Sequence, residues 1–209
     1  MSMNTPFFFF LFLSVFTAGL TFADRGISSK VEFKIAFGSC GKQAHPLPIF
    51  HEVIKQNPNL FIFLGDNIYG DTNDMDILHK KYQQLGTKES YQHLIENTEV
   101  LATWDDHDYG QNDAGKHYPH KVESKEIFLE FFKEPKNSER YKHKGIYHSV
   151  YKKTGNKIIQ IILLDNRTFR DNLVRFPKGQ KIPGHFFYRP DYLPHTDDSK
   201  AFLGEEQWS

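Results

Sequence analysis

Apolar positions along the chain fall into two alternating kinds of segment. Val31–Phe37, Leu60–Leu64, Val100–Trp104 and Ile158–Leu164 are short runs rich in β-branched and aromatic residues. They are too short for bundle helices and lack helical spacing, so they predict strands. Between them the apolar residues gather on single helical faces. Ile49, Phe50, Val53 and Ile54 form one such set. Leu78, Tyr82 and Leu85 form a second, and Tyr91, Leu94 and Ile95 continue it. Ile127, Phe128, Phe131 and Phe132 form a third, with Pro135 placed to end that helix. Tyr147–Tyr151 and Lys157–Leu164 flank Thr154-Gly155-Asn156, which predicts a hairpin. The resulting order is strand, helix, strand, helices, strand, helix, hairpin. That order predicts an α/β layered domain with mixed strand directions. Residues 171–200 are rich in Pro, Gly, His and Asp without periodicity, and read as a long surface loop.

A chain of 209 residues makes one domain the default. Its first 23 residues carry no Asp, Glu, Lys or Arg, and Phe7–Ala23 is a nearly continuous apolar run ending Thr21-Phe22-Ala23. This predicts a secretory signal over 1–23, cleaved before Asp24. Residues 24–209 would then be a secreted or periplasmic domain with no stable membrane span. The amino-terminal stretch lacks Lys and Arg, which leaves an alternative: an uncleaved signal that anchors the protein. The run is slightly short of the roughly 20 apolar residues of a spanning helix.

Charge narrows the partners. Lys+Arg and Asp+Glu both number 26, which argues against a broad nucleic-acid footprint and leaves room for a small phosphorylated ester. Cys40 is the only cysteine, so no internal disulfide framework exists. Its thiol is either a buried inert group or a metal ligand or nucleophile.

The candidate chemistry lies at the carboxyl end of each strand. Val31–Phe37 runs into Gly38-Ser39-Cys40-Gly41, and Leu60–Leu64 into Gly65-Asp66-Asn67-Ile68-Tyr69-Gly70-Asp71. Val100–Trp104 runs into Asp105-Asp106-His107-Asp108-Tyr109, and Ile158–Leu164 into Asp165-Asn166-Arg167. Ligands of open α/β sheets bind outside the carboxyl ends of strands. Four such endings would gather several carboxylates in one crevice, where like charges force some to stay protonated. A bound cation resolves the conflict, since carboxylates are natural ligands for hard metals. Simpler motifs fail. Gln43 stands where a P-loop needs Ser or Thr. Phe37 stands where a nucleophile elbow around Ser39 needs Gly. No Arg follows Cys40 in a tight phosphate loop.

FGSCGK at Phe37–Lys42, FLGDNIYGD at Phe63–Asp71, ATWDDHDYGQND at Ala102–Asp113, LLDNRTFRD at Leu163–Asp171 and LGEEQW at Leu203–Trp208 together resemble the ordered blocks of PhoD-like alkaline phosphatases. That family is a branch of the metallophosphoesterases, whose fold is a layered sandwich of mixed β-sheets flanked by helices. The resemblance implies hydrolysis of small phosphate mono- or diesters at an iron (ferric) and calcium centre. It places Cys40, Asp66 and Tyr69 as iron ligands, with Asp66 bridging to calcium. It puts Asp106 on the second metal, with Asp105 its nearby competitor. Asn112 or Asp113 would complete the calcium shell. His107 would sit beside the scissile phosphate. Arg167 would contact phosphate or form a supporting ion pair with Asp165. Asp71 and Asp108 read as loop or supporting residues.

One departure bears on activity. In the family, Leu-Gly-x-x-Gln-x-x-Trp opens a helix, and a later segment supplies further metal ligands. Here the pattern begins at Leu203 and the sequence stops at Ser209. The expectation is a sandwich incomplete at its C-terminus, lacking those ligands. The alternative function is therefore an inactive remnant or a secreted binding protein that keeps the fold.

Overall fold

A computed structural model describes residues 33–177 and 192–208. The leader expected over 1–23 lies outside these residues. No helix among the described residues is long and apolar enough to cross a membrane.

Three strands, β1 (Ile35–Gly38), β2 (Leu60–Leu64) and β3 (Glu99–Thr103), form a parallel sheet in the order β1-β2-β3. Ile35 pairs with Leu60, and Leu60 with Glu99. Central β2 is buried from Leu60 through Phe63, as a strand covered on both faces must be. Successive side chains point to opposite faces, so Phe61 and Phe63 enter one core and Leu60 and Ile62 a second.

The larger core is built by helices. Helix α1 (Ile49–Lys55) and α3 (Glu89–Asn97) pack together, as do α2 (Met75–Gly86) and α5 (Lys121–Phe131). They bury Phe50, Leu78, Tyr82, Leu85, Tyr91, Leu94, Phe128 and Leu129 against Phe61, Phe63 and Trp104. Each such side chain is worth about 1.5–3 kcal/mol of apolar burial. Ring pairs such as Phe61–Phe63, with centroids 4.8 Å apart at 79°, take the edge-to-face geometry that aromatic quadrupoles favour. Asp74 starts α2 by accepting from the backbone N–H groups of Asp76 (2.9 Å) and Ile77 (3.2 Å).

The smaller core is closed by the expected hairpin. Strands β4 (His148–Thr154) and β5 (Lys157–Leu163) pair antiparallel around Gly155-Asn156. Ile161 and Leu163 pack on Leu60 and Ile62. The α/β layering with mixed strand directions thus stands.

Three local readings change. Helix α5 stops at Phe131, before Pro135 acts. Lys133 adopts φ 54°, and the N–H groups of Lys133 and Glu134 cap the carbonyls of Glu130 (3.0 Å) and Leu129 (2.8 Å). This is a Schellman stop, and it needs no proline. The stretch 171–200 contains a short antiparallel pair, β6 (Val174–Arg175) and β7 (Tyr192–Leu193). Two-residue strands are too short to show a period. Residues Glu205–Gln207 form one 3-10 turn.

Candidate metal centre

The loops after β1, β2 and β3 meet at the carboxyl edge of the parallel sheet. Cys40 is exposed, so the buried inert thiol is excluded. Its Sγ lies 3.6 Å from Asp66 Oδ2. Asp66, Asp106 and His107 each offer a ligand atom, and these atoms lie within 4.8 Å of one another.

Backbone geometry sets these positions. Gly65 has φ 108°, and a Cβ there would stand 2.7 Å from both the backbone N and the Cβ of Asp105. Only glycine lets the β2 loop pass so close to the β3 loop. The two loops are then bolted by Asp108, which is fully buried. Its Oδ2 accepts from Asn67 N (2.9 Å) and Asn67 Nδ2 (2.6 Å), and its Oδ1 from Asp105 N (2.6 Å). Residues Asp106–Tyr109 form a single helical turn, α4, which turns Asp106 and His107 toward Asp66.

Tyr69 is held by its main chain. Gln43 Oε1 accepts from Tyr69 N (2.8 Å), Gln43 Nε2 donates to Tyr69 O (3.3 Å), and Lys81 Nζ donates to the same oxygen (2.9 Å). Its ring lies 4.2 Å from that of His107. Burial, then the nearby Asp66 and Cys40, push its phenol up to about 12.

The carboxylates feel one another. Burial raises the pKa of Asp66, and Asp106 and Asp105 add to the rise while His107 opposes it. Burial also resists ionisation of Asp106, but the Asp113 N–H at 2.9 Å, Arg167 and His107 outweigh it and hold that carboxyl below the usual range. Burial depresses His107, yet its hydrogen bond to Asp71 and the charges of Asp106, Asp71 and Asp66 together raise it. The Asp71 Oδ1 to His107 Nδ1 distance is 2.6 Å.

Arg167 reaches the cluster, though not through Asp165. Its Nε donates to Asp105 Oδ1 at 2.5 Å, and its Nη2 pairs with the same carboxylate and lies 3.8 Å from Asp106. The fourth strand end therefore does not add a carboxylate to the crevice. Asp165 is fully buried and serves as an acceptor hub for Trp104, Ile146, Arg167 N and Thr168. Asp113 gives only its N–H to Asp106. Its carboxylate faces Asn112 (3.0 Å), Arg175 (3.6 Å) and the Tyr192 hydroxyl. Sequence reasoning missed Gln43 and Asn67, whose roles depend on contacts across two loops. The reach of Asp108 and of Asp71 was equally hidden.

One solved structure carries the same architecture. This chain matches the structure of PhoD with a TM-score of 0.62 at 17% sequence identity. It has a PhoD-like fold. The match covers 84% of this chain and 37% of the PhoD chain, so the present sequence spans little over a third of that neighbour's length. No protein-family model matches the sequence, and no curated protein matches it. The likeness to PhoD extends to the layered architecture described above, and the site geometry is this chain's own.

The donor set fits a metal. Asp66 Oδ1 is buried without a hydrogen-bond partner among the described residues, an orphaned carboxylate oxygen in a cluster of acids. Such an atom is costly unless a cation satisfies it. Asp66, Asp106 and His107 converge on one volume, and Cys40 adds a soft sulfur donor beside Asp66.

Proposed function

We propose that this chain carries the metal-binding site of a phosphoesterase, hydrolysing small phosphate mono- or diesters. The observation that carries the reading is the meeting of Cys40, Asp66, Asp106 and His107 at three consecutive strand ends, with Asp66 Oδ1 buried and unpartnered among the described residues. The PhoD-like fold supports it. Cys40, Asp66 and Tyr69 would hold iron, whose ferric state suits thiolate and phenolate donors. Asp66 and Asp106 would hold calcium. Bound metals would neutralise phosphate oxygens and lower the pKa of an attacking water.

The remaining roles belong to the chain's own groups. Asp71 occupies His107 Nδ1, which leaves Nε2 to donate to a phosphate oxygen or to the departing alkoxide. Against burial, the hydrogen bond and charge of Asp71, with Asp106 and Asp66, raise the pKa of His107 and so shift it toward that proton-bearing form. Arg167 holds Asp105 and steadies Asp106, and the guanidinium offsets negative charge where a dianion would enter. No protein nucleophile is required. The reading includes export, on the uncharged apolar leader over 1–23.

The test is metal content with turnover of p-nitrophenyl phosphate and bis-p-nitrophenyl phosphate, comparing the chain with Cys40→Ala and Asp66→Asn. Bound iron and calcium, with turnover that falls at least 100-fold in both variants, is the expected result. Metal without turnover would assign the alternative, a binding protein that keeps the fold. Absence of both metal and turnover would refute the reading for this chain.

A further inference from the structure

A cavity of about 770 Å³ opens between the start of α5, the 142–144 loop and the Thr168–Phe169 loop. None of its lining residues belongs to the candidate metal centre. Its volume falls in the range of small-molecule sites. Lys116, Lys121, Lys125, Lys142 and Lys144 line it, and among the described residues no carboxylate does.

Counter-charges reach only part of this set. Lys116 pairs with Asp171 (2.7 Å), Lys142 with Glu139 (2.6 Å) and Lys144 with Glu206. Lys121 and Lys125 make no salt bridge to any carboxylate among the described residues. Each donates one N–H to a backbone oxygen, Lys121 to Lys116 O at 2.6 Å and Lys125 to His143 O. An ammonium has three N–H donors, so each keeps two to give. Lys125 is only 8% exposed. Burial lowers its pKa, and Asp165 and Glu126 support its charge only from a distance. Among the described residues, two of the five lining lysines thus have no carboxylate in ion-pair contact.

We propose that this cavity binds a phosphate-type dianion, held by Lys121 and Lys125 with the paired lysines at its rim. Two unpaired ammonium groups match two negative charges, and the partly buried Lys125 would be relieved of an unneutralised position. Val122 and Phe169 give the wall an apolar side, which suits an organic phosphate better than inorganic phosphate.

The measurement is isothermal titration calorimetry on the full chain in EDTA, so that no metal-dependent anion site contributes. Inorganic phosphate and phenyl phosphate are the probes, run against wild type, Lys121→Glu, Lys142→Glu and Asp66→Asn. Circular dichroism confirms that each variant folds. One anion should bind per chain, phenyl phosphate more tightly, and rising salt should weaken both. Affinity should fall at least tenfold in Lys121→Glu and severalfold in Lys142→Glu, where folding is least at risk because Lys142 is exposed. Asp66→Asn should bind as wild type does. Unchanged affinity in both lysine variants would overturn the proposal, as would no binding at millimolar phosphate or a loss confined to Asp66→Asn.

Discussion

Removing the Asp165 carboxylate should be the most damaging single change outside the apolar core. The side chain is fully buried and accepts five hydrogen bonds. Oδ1 takes Trp104 Nε1, Arg167 N and Thr168 N, each at 2.9 Å. Oδ2 takes Ile146 N at 2.9 Å and Thr168 Oγ1 at 2.6 Å. Trp104, Ile146 and Thr168 are themselves buried, so Asp165→Ala strands three N–H donors that water reaches poorly, while the Thr168 hydroxyl can rotate. A stranded buried donor costs about 1–3 kcal/mol. The loss should be about 4–6 kcal/mol, against a total near 5–15 kcal/mol for a domain. With a urea m-value of about 2 kcal/mol per molar, the midpoint should move by roughly 2–3 M. Asp165→Asn keeps Oδ1 and its three donors but turns an NH₂ toward Ile146 N. It should cost only about 1–3 kcal/mol, because the Thr168 hydroxyl can rotate to accept. Urea unfolding followed by tryptophan fluorescence reads this directly, since Trp104 is 1% exposed and Trp208 is 71% exposed. A loss below about 1 kcal/mol for the alanine variant, the floor for one stranded donor, would refute the hub. So would equal losses for Ala and Asn, because buried charge rather than acceptor count would then be the cause.

Two further outcomes concern the metal centre. Gly65→Ala should cost roughly 2–3 kcal/mol, since it forces an L-residue to a positive φ with its Cβ 2.7 Å from Asp105 N. Urea midpoints check the stability, and a metal affinity equal to wild type would refute the close approach as the device that aligns Asp66 with Asp106. In the EDTA-treated chain the His107 imidazole should titrate above 6.5 by proton NMR, and Asp71→Asn should bring it down by removing the charge and weakening the hydrogen bond that help raise it. Its pairing then stabilises the fold fully below pH 6.5 and is lost as pH rises through the higher folded value. An Asp71→Asn titration that matches wild type would break that assignment.

The elements that were legible in the sequence are those whose apolar period is long. β2 reads as a bare apolar run because both its faces are covered, and α2 reads from Leu78, Tyr82 and Leu85, all fully buried. The hairpin reads from Gly155-Asn156, which the register closes with Thr154 opposite Lys157. Less legible were stops and crossings made by backbone geometry. Lys133 ends α5 by adopting φ 54°, a choice that residue type does not announce. Arg167 bypasses Asp165, its near neighbour in sequence, because its side chain crosses to Asp105 while its own N–H stays on Asp165. A sequence shows which groups leave each strand, and their pairing needs three dimensions.

The site itself carries a signature that composition could not reveal. Cys40, Asp66 and Asp71 all sit at positive φ, 61°, 51° and 46°, where L-residues pay for the conformation. Three such residues in two loops are over-determined by their surroundings. Cys40 N bonds Gly65 O at 3.3 Å and Gly41 N bonds Asp66 O at 2.9 Å, which ties the β1 loop to the β2 loop through the strained residues themselves. Strain of this kind persists only where the fold holds it and clusters where geometry serves a purpose. Here its effect is to aim a thiol and two carboxylates inward, one carboxylate toward Cys40 and one toward His107. Without a cation the same arrangement raises the Asp66 pKa and leaves one of its oxygens unpartnered among the described residues. The loops therefore hold, before any ligand arrives, an arrangement whose electrostatic cost a metal would reverse.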